Sequence, residues 1–452
     1  TSDHSAQPND KLAVLRRLCR LLTAAGLLTF SGVAQTTVKA PEPLSASEII
    51  NRSLPRWMKF AGEYRSRFEG YGGGSFRENS TDAYWLSRTR LSLTLQPVSW
   101  LRVTAEAQDS RAIGKQPGVP PYENVWDVHQ AFADVGDFEK GRFSLRVGRQ
   151  EFSYGDTRIL SPSLWSNASR SFDAVRAVVR FDGVRVDVFA ASAVVSVNDT
   201  WDHHPQGNNL HGVYSDFSKL IPHADIQPYF LWRLQPRIRN EAGIVANLNE
   251  GVPGLRWTGT LPKSFDYRME ITGEFGSLGT DRVRAWAGHW SLGHTWKSVR
   301  FSPRVFSEYD YLSGDANPRD GVRETFDQIY ANLHDKFGVA DQFAGRNLRD
   351  IRSALETKLP HGITANLEHN CWFLASPFDA IYTSQGNVIA RSANGTAGTH
   401  LGNEIDMITT WKMRGPVQAG AGLGYIIPGA FLKNTTPGKA YLYPYIMFTY
   451  KL

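Results

Sequence analysis

The chain has 452 residues, of which 41% are hydrophobic and 21% charged, so it is too long for a small disulfide scaffold and too apolar for a disordered segment. Its 50 basic and 44 acidic residues are dispersed, and a dispersed excess of +6 does not indicate a nucleic-acid binder. The two cysteines, Cys19 and Cys371, provide no disulfide framework if Cys19 is removed with the N-terminus.

The N-terminus has the composition of a secretory leader. Four basic residues precede a short apolar stretch, LLTAAGLLTFSGVA, and small residues follow it. This order predicts a signal peptide over residues 1–40, cleaved after Ala34 or Ala40, with an amphipathic N-terminal helix as the alternative. Residues 41–56 are predicted to form a short periplasmic segment. The uncharged stretch 415–432 is broken by Pro and Gly, which favours a strand over a spanning helix.

The alternation of polar and apolar residues distinguishes an outer-membrane barrel from a soluble periplasmic or extracellular protein. In residues 88–95 Arg, Ser and Thr alternate with Leu, and a similar pattern resumes in residues 101–108. Such runs are about ten residues long, enough to span a bilayer at a tilt near 45°. A soluble sandwich also alternates, but its strands are shorter and its outer face is polar. Residues 57–452 are therefore predicted to be all-β, as a transmembrane antiparallel up-and-down β-barrel of roughly eighteen strands.

Short and long connections alternate along this region, as expected for a barrel with short periplasmic turns and long outer loops. The short turns are predicted near residues 96–99, 136–141, 182–183, 235–240, 261–264, 296–298, 359–362 and 414–416. The long loops, rich in Gly, Asn and Pro, are predicted near residues 70–83, 110–126, 151–172, 197–223, 312–347, 374–402 and 428–439.

Several motifs along the chain share their residues and spacing with one known family. They include Gly148–Arg158 (GRQEFSYGDTR), Glu308–Asp315 (EYDYLSGD), Thr325–Asp327, His334 and Gly402–Asp406 (GNEID). The chain thereby resembles the alginate export family of outer-membrane barrels. The resemblance implies an eighteen-stranded monomeric barrel in the outer membrane of a Gram-negative bacterium, with an arginine-lined pore for an anionic polyuronate.

Arginines on the predicted inward rows are the candidate pore residues. A guanidinium group holds carboxylates bidentately and stays charged, and a ladder of weak sites lowers the barrier for an anion. The alternative is that these arginines pair with wall carboxylates (Glu63, Glu106, Asp173, Asp187, Glu308, Asp310 and Glu356) simply to hold the wall together. The candidates are Arg65, Arg67, Arg88, Arg90, Arg102, Arg146, Arg176, Arg180, Arg300, Arg304 and Arg352.

A second group, Arg149, Glu151 and Arg158, is predicted to form a loop-anchored constriction. On a regular strand Arg149 and Glu151 would share the lipid-facing row of Phe143. Either the strand ends at Gly148 or a bulge shifts its register. A salt-bridged strand terminus is the alternative for these residues.

The sequence lacks the Gly-x-Ser-x-Gly, His-Glu-x-x-His and Walker-type motifs, so no enzyme, catalytic residue, cofactor or metal is assigned. His203–His204 are typical of a solvated loop. The 310–321 loop carries a weak calcium candidate, DANPRDG from Asp315, without the later bidentate Glu. Cys371 is predicted to be a buried or lipid-facing small residue.

The predicted function is an outer-membrane channel that passes an anionic polysaccharide, alginate-like, by passive diffusion. The alternative is a porin for small anionic or sugar-like solutes, and an outer-membrane enzyme or adhesin is the third class. The expected partners are outer-membrane lipid and the acidic polymer or small anion, with no nucleic acid and no second subunit.

Overall fold

A computed structural model describes residues 43–115, 121–197, 200–218 and 220–452. The predicted signal peptide, residues 1–40, lies outside the described residues. Within the described part of the chain, no helix is long and apolar enough to cross a membrane.

The fold is the predicted all-β barrel, closed by 18 antiparallel strands. Each wall strand pairs with its sequence neighbours in the wall, and the first strand closes the barrel on the last, with Glu63 opposite Lys451. Three further strands, β14, β17 and β18, are short segments within the long loops. The strands are β1 (Met58–Gly72), β2 (Thr81–Val98), β3 (Leu101–Ile113), β4 (Asn124–Val135), β5 (Phe143–Gln150), β6 (Phe172–Phe181), β7 (Val184–Ala193), β8 (Asn209–Asp216), β9 (Ala224–Arg239), β10 (Val245–Leu261), β11 (Phe265–Leu278), β12 (Asp281–Thr295), β13 (Arg304–Leu312), β14 (Val322–Arg323), β15 (Leu348–Leu359), β16 (Ile363–Leu374), β17 (Ala380–Tyr382), β18 (Val388–Arg391), β19 (His400–Lys412), β20 (Val417–Pro428) and β21 (Tyr441–Lys451).

The two faces of each strand follow the period-two pattern of the sequence. On β2 the apolar row points out of the barrel, so Leu93 is 40% exposed, whereas Arg88 on the polar row is 4% exposed. Successive side chains of a strand point to opposite faces, so the apolar rows form the lipid-facing surface and the polar rows the lumen. Exposed tryptophans near the short-turn end match an interfacial belt: Trp57, Trp100, Trp296 and Trp411.

Two α-helices and three short 3₁₀ helices (Gly74–Phe76, Pro262–Ser264 and Pro360–Gly362) complete the secondary structure of the described residues. Helix α1 (Ala46–Ser53) precedes β1 and begins with a capping box formed by Ser45 and Glu48. The Asn51 side chain exchanges two hydrogen bonds with the backbone of Phe60, at a height on β1 that β21 does not reach. Helix α2 (Ala430–Thr435) lies in the loop between β20 and β21.

Three predicted connections were wrong. The predicted long loop 197–223 contains the wall strand β8, and the predicted turn at 235–240 falls within or just after β9, which ends at Arg239. The turn predicted at 296–298 is longer, since residues 296–303 form a turn with positive φ at Phe301 and Ser302, and β13 begins only at Arg304. Local alternation did not separate these turns from the strands beside them.

Two of the long loops fold into the barrel, and both were predicted as long connections. The first inward loop (residues 151–171) and the second inward loop (residues 313–347) place Phe152, Phe326 and Phe343 in a fully buried core with the inner wall. The loops also bind each other, since the Ser161 amide donates to the Tyr330 carbonyl at 3.0 Å. The long-loop end of the lumen is therefore largely filled by protein, and a cavity remains between these loops and the wall.

Candidate functional site

Four of the predicted pore arginines form one cluster on neighbouring strands. Arg65 and Arg67 lie on β1, and Arg88 and Arg90 on β2, with Arg65 directly opposite Arg88. All four point into the lumen and are buried. The period-two rows that predicted them are therefore correct at these positions, and we refer to this group as the arginine cluster.

The arginine cluster holds the first inward loop by its backbone. Arg65 donates from Nη1 to the Leu164 carbonyl at 2.7 Å and from Nη2 to the Ser166 carbonyl at 3.0 Å. Arg67 donates to the Trp165 carbonyl at 2.7 Å. Charged donors on carbonyl oxygens make strong hydrogen bonds, so the loop is fixed where it crosses in front of β1 and β2.

Most of the predicted pore arginines, members of the arginine cluster included, are paired with carboxylates, as the alternative interpretation expected. Arg102 and Arg146 share Asp134, at 2.7 and 2.6 Å. Such pairing compensates the positive charge of these arginines. The remaining contacts are Arg88 with Glu63, Arg90 with Glu106 and Glu151, Arg176 with Asp187, Arg304 with Asp266 and Glu356, and Arg352 with Glu308 and Glu368.

Two predicted pore arginines lie away from the middle of the lumen. Arg300 is exposed in the turn between β12 and β13, over the ring of Phe301, so its predicted place on an inward strand row was wrong. Arg180 is on the inward row of β6, near its short-turn end, where it donates to the carbonyls of Phe138 and Gly141.

The predicted trio Arg149, Glu151 and Arg158 is not brought together. Strand β5 continues to Gln150 in register with both neighbours, so neither an end at Gly148 nor a bulge occurs. Arg149 consequently lies on the outer row, bonded to Asp173 at 2.8 Å, which is the salt-bridged terminus of the alternative.

The other two members, Glu151 and Arg158, both lie in the first inward loop but contact separate parts of the wall. Glu151 contacts His129 of β4 at 2.7 Å and Arg90 of β2 at 3.3 Å. Arg158 reaches Asp310 of β13 at 2.9 Å. The first inward loop therefore crosses the lumen, and the predicted constriction is a loop anchored at both sides rather than three adjacent charges.

The first inward loop has a further anchor that the sequence did not single out. Asp156 accepts from Arg256 of β10 at 2.7 Å. Burial alone would raise the pKa of Asp156, yet Arg256 holds that pKa below its ordinary value. Asp156 stands in the GRQEFSYGDTR motif, and the motif was the one available signal for it.

The second inward loop has an anionic anchor in Asp327. Its carboxylate is 2.8 Å from Arg233 of β9 and 2.6 Å from Arg346. Burial by itself would raise the pKa of Asp327, but these two arginines and Arg323 hold that pKa well below its ordinary value. The ionised carboxylate of Asp327 is thus the form that anchors the second inward loop.

Trp165 and His334 join the two inward loops in the lumen. Their rings stack with centroids 3.5 Å apart and an interplanar angle of 6°. The guanidinium of Arg67 lies 3.8 Å from the Trp165 ring centroid, and Tyr445 meets Trp165 edge-on at 4.9 Å. This aromatic junction makes the position of each loop depend on the other.

Two cavities lie on either side of the inward loops. The outer cavity, of about 780 Å³, is bounded by Arg67, Trp165, Tyr330 and Arg346 among others. The inner cavity, of about 470 Å³, is toward the short-turn end and includes Arg256, Arg268 and Arg304. Each cavity combines cationic and aromatic or hydroxyl side chains.

The calcium candidate of the 310–321 loop is not assembled. The Asp315 carboxylate accepts the backbone amides of Asn317 at 2.8 Å and Glu324 at 3.3 Å, so it shapes its own loop. His204 is bonded to Asp173 on the outer surface at 2.7 Å. Cys371 is half-buried on the outward row of β16, as predicted for a lipid-facing residue.

Glu241 is the carboxyl group from which we expect a pH dependence of the outer loops. It lies between β9 and β10 and accepts the Gly321 amide at 2.9 Å, and burial together with Asp315 and Asp281 raises its pKa to about 7. Because the pKa of Glu241 is higher in the folded loop than its ordinary value of 4.5, protonation of this carboxyl group stabilises the folded loop. This stabilisation is fully present below pH 4.5 and is lost as the pH rises through 7. After correction for the intrinsic pH dependence of exchange, we expect greater protection of the amides in residues 240–244 and 315–321 at pH 5 than at pH 8.

The Glu241→Gln variant is the control for that dependence. Glutamine does not titrate, so exchange in the same segments should differ little between the two pH values after correction for intrinsic rates. A dependence that persists in this variant would contradict the assignment to Glu241.

The chain is similar to known proteins in sequence and in fold. A family model described as alginate export matches residues 56–442. Among solved structures, OpdQ of Pseudomonas aeruginosa has a TM-score of 0.60 at 11% identity, over 87% of this chain and 97% of that chain. The outer membrane protein opdK of the same organism has a TM-score of 0.59 at 9% identity, over 87% and 98%. OccAB1 of Acinetobacter baumannii has a TM-score of 0.58 at 9% identity, over 91% and 100%. At such identities the structures share the fold alone. No curated protein matches the sequence significantly.

Proposed function

The chain belongs to the alginate export family and is a channel of the Gram-negative outer membrane, and from this premise we propose that it passes an anionic polyuronate by passive diffusion. The fold and the family are those of outer-membrane channels rather than of enzymes. The proposal concerns the solute and the residues that contact it.

The observation that carries the proposal is the lining of the outer cavity. Arg67, Arg170 and Arg346 border it together with the rings of Trp165 and Tyr330. Guanidinium groups bind carboxylates through two parallel hydrogen bonds, and flat rings pack against the apolar faces of sugar rings. Every unit of a polyuronate offers both a carboxylate and the apolar face of a sugar ring.

Paired arginines suit passage better than tight capture. Arg67 already contacts Glu69 at 2.5 Å, and Arg346 contacts Asp327 at 2.6 Å. A uronate carboxylate therefore competes with an internal partner at each step, which keeps any single site weak. Conduction requires binding that is favourable enough to enter and weak enough to leave.

Arg67→Gln tests the proposal in a planar bilayer. We expect wild-type channels to be anion-selective in a salt gradient and to be blocked by an oligouronate but not by a neutral glucan. Loss of one charge-assisted contact, about 1.5–3 kcal/mol, should raise the blocking concentration of the uronate at least tenfold.

Arg300→Gln is the matched control, because it removes the same charge from the exposed turn. Its blocking concentration should equal that of the wild type. Equal block of Arg67→Gln and wild type, or equal block by the glucan, would contradict an arginine-lined uronate path.

A porin for small anionic or sugar-like solutes is the second candidate. It is favoured by the inward loops, which divide the lumen and are joined by backbone hydrogen bonds such as Asn332 N–H to the Thr157 carbonyl at 2.9 Å. Liposome swelling with uronates of increasing length separates the two. Uptake that ends at a mono- or disaccharide supports the porin, and uptake of longer chains supports the polymer channel.

A further inference from the structure

The inner cavity lies between the short-turn mouth of the barrel and the first inward loop. Its volume of about 470 Å³ is within the usual range of small-ligand sites, roughly 300–1,000 Å³. Its border includes Ser218 and His223, which are exposed in the turn between β8 and β9. Arg256, also at the border, contacts Asp156 of the first inward loop at 2.7 Å. A solute that moves between this mouth and the first inward loop therefore meets the cavity.

Three guanidinium groups face the inner cavity, and two of them are held by carboxylates. Arg256 of β10 donates to Asp156, and Arg304 of β13 donates to Asp266 of β11 at 2.6 Å. The Arg304 side chain crosses β12 at Gly293, where a Cβ atom would overlap its Nη2 atom. These two positive charges are therefore compensated within the protein.

Arg268 of β11 is the third guanidinium group, and it has no such partner. Among the described residues its side chain makes no hydrogen bond and no salt bridge, although its charge acts on Asp156. Ionisable side chains of a membrane protein that face a water-filled cavity commonly mark the path of a solute. Arg268 is therefore available to a carboxylate of the solute, which a guanidinium group binds through two parallel hydrogen bonds.

Asp225 of β9 faces the same cavity, and its side chain also makes no hydrogen bond or salt bridge among the described residues. Both Asp225 and Arg268 pair with Thr258 of β10, from its two sides. Their Cα atoms are therefore two strand spacings apart, about 10 Å. A carboxylate accepts hydrogen bonds from hydroxyl groups. The cavity thus offers a guanidinium group for an anion and, across Thr258, an acceptor for hydroxyls.

We propose that the inner cavity binds one uronate unit, with its carboxylate on Arg268 and its ring hydroxyls on Asp225. The solute class is that of the proposed function, on which this site rests, and a polymer unit or a single uronate fits it equally. A uronate carries its carboxylate on one edge of the ring and hydroxyls on the opposite edge, as the two side chains require.

The same arrangement distinguishes a uronate from simpler solutes. A simple carboxylate lacks the hydroxyls and a neutral sugar lacks the carboxylate, so each makes only half of these contacts. Repulsion between Asp225 and the carboxylate of the solute keeps the binding weak enough for passage.

The test is protection of a thiol in the inner cavity from a neutral methanethiosulfonate reagent. Thr260→Cys, at the cavity border, is placed in a Cys371→Ser background of the complete mature barrel refolded in detergent. We expect glucuronate to slow modification of this thiol at a concentration about tenfold or more below that of acetate or glucose. Adding Arg268→Gln should raise the half-protecting concentration of glucuronate about tenfold or more, because the carboxylate loses a charged partner.

Asp225→Ala and Lys263→Gln separate the two contacts from a general effect of charge. Asp225→Ala removes a repulsive charge for both anions but a hydroxyl acceptor for glucuronate alone. The preference for glucuronate over acetate should therefore fall about threefold or more. Lys263→Gln removes a positive charge from the exposed turn between β10 and β11, outside the cavity lining, and should change nothing.

Each result decides the proposal once the heat-dependent electrophoretic shift shows that a variant has folded. Protection by glucuronate that Arg268→Gln weakens and Lys263→Gln leaves unchanged supports the site. Protection no greater than that of acetate, equal protection in Arg268→Gln, or an unchanged preference in Asp225→Ala would overturn it. If Arg268→Gln does not fold, Arg268→Met replaces it with the same expected loss.

The outcome for this site is separate from the outcome for the polymer. Protection by glucuronate without any block of conductance by the oligouronate would support the site and contradict passage of the polymer. Block by the oligouronate without protection by glucuronate would overturn the site alone.

Discussion

Asp327→Asn is expected to release the second inward loop and to raise the single-channel conductance severalfold, with large current noise. The substitution keeps the shape of the side chain but removes the charge that Arg233 and Arg346 contact at 2.8 and 2.6 Å. Removing one partner of a buried ion pair costs about 3–5 kcal/mol, because the other charge stays buried without compensation. The measurement is conductance in planar bilayers, together with protease cleavage within residues 313–347.

Asp320→Asn is the matched control in the same loop, since Asp320 is exposed and accepts the Val322 amide of its own loop. It should leave conductance and cleavage unchanged. The low pKa of Asp327 also means that its stabilisation is present above the ordinary value near 4 and is lost only as the pH falls further. Wild-type conductance should therefore show no release of this loop between pH 8 and pH 5, and such a release would contradict the role given to Asp327.

Trp165→Ala is expected to open the junction between the two inward loops and to weaken uronate block by an order of magnitude or more. The ring stacks on His334 at 3.5 Å and lies under the guanidinium of Arg67 at 3.8 Å. Replacing a packed tryptophan by alanine costs about 3–5 kcal/mol, and here the loss falls on the contact that joins the loops. Conductance should rise and the blocking concentration of the oligouronate should increase in the same variant.

Trp201→Ala provides the comparison, because Trp201 is 72% exposed in the loop between β7 and β8. It removes an equal volume without touching the lumen, so neither conductance nor block should change. Higher conductance of Trp165→Ala with unchanged block would show that the ring closes the passage but does not contact the polymer.

The inward loops also explain why the two solute classes are close alternatives for this barrel. A lumen filled at its long-loop end transmits a long polymer only if the loops yield, whereas small anions need only the gaps beside them. Asp327→Asn weakens the contact of the second inward loop with the wall, whereas Trp165→Ala weakens the contact between the two inward loops. If both variants extend the length of uronate that enters liposomes, the loops set the size limit.

The family motifs contain residues that anchor or join the inward loops, but they did not predict what these residues contact. Asp156, Asp327 and His334 all stand in motifs that the sequence shares with the family, but no role was predicted for any of them. In the structure Asp156 and Asp327 are anchors of the inward loops, and His334 completes the aromatic junction. Alternation carries no information about such residues, because they lie outside the strands.

The class of the fold and the face of most wall residues follow from the amino-acid pattern alone. These properties are local: the period of two between successive side chains decides which residue faces lipid, as for Arg88 and Leu93 on β2. The same rule did not apply at Arg300, where the strand had not yet begun. At Arg149 the rule held, because the regular strand carries this charge to the outer row, and the predicted end or bulge of the strand was wrong.

Closure of the barrel, and not any local pattern, sets which long loops enter the lumen and which charges meet there. Arg65 and Leu164 are 99 residues apart in sequence, and Arg158 and Asp310 are 152 apart. Closing the barrel brings opposite strands within reach of one loop, and each buried charge then takes the partner that geometry offers. No pattern within a single strand or loop specifies these partners, so the contacts of the candidate site could not be predicted from the sequence.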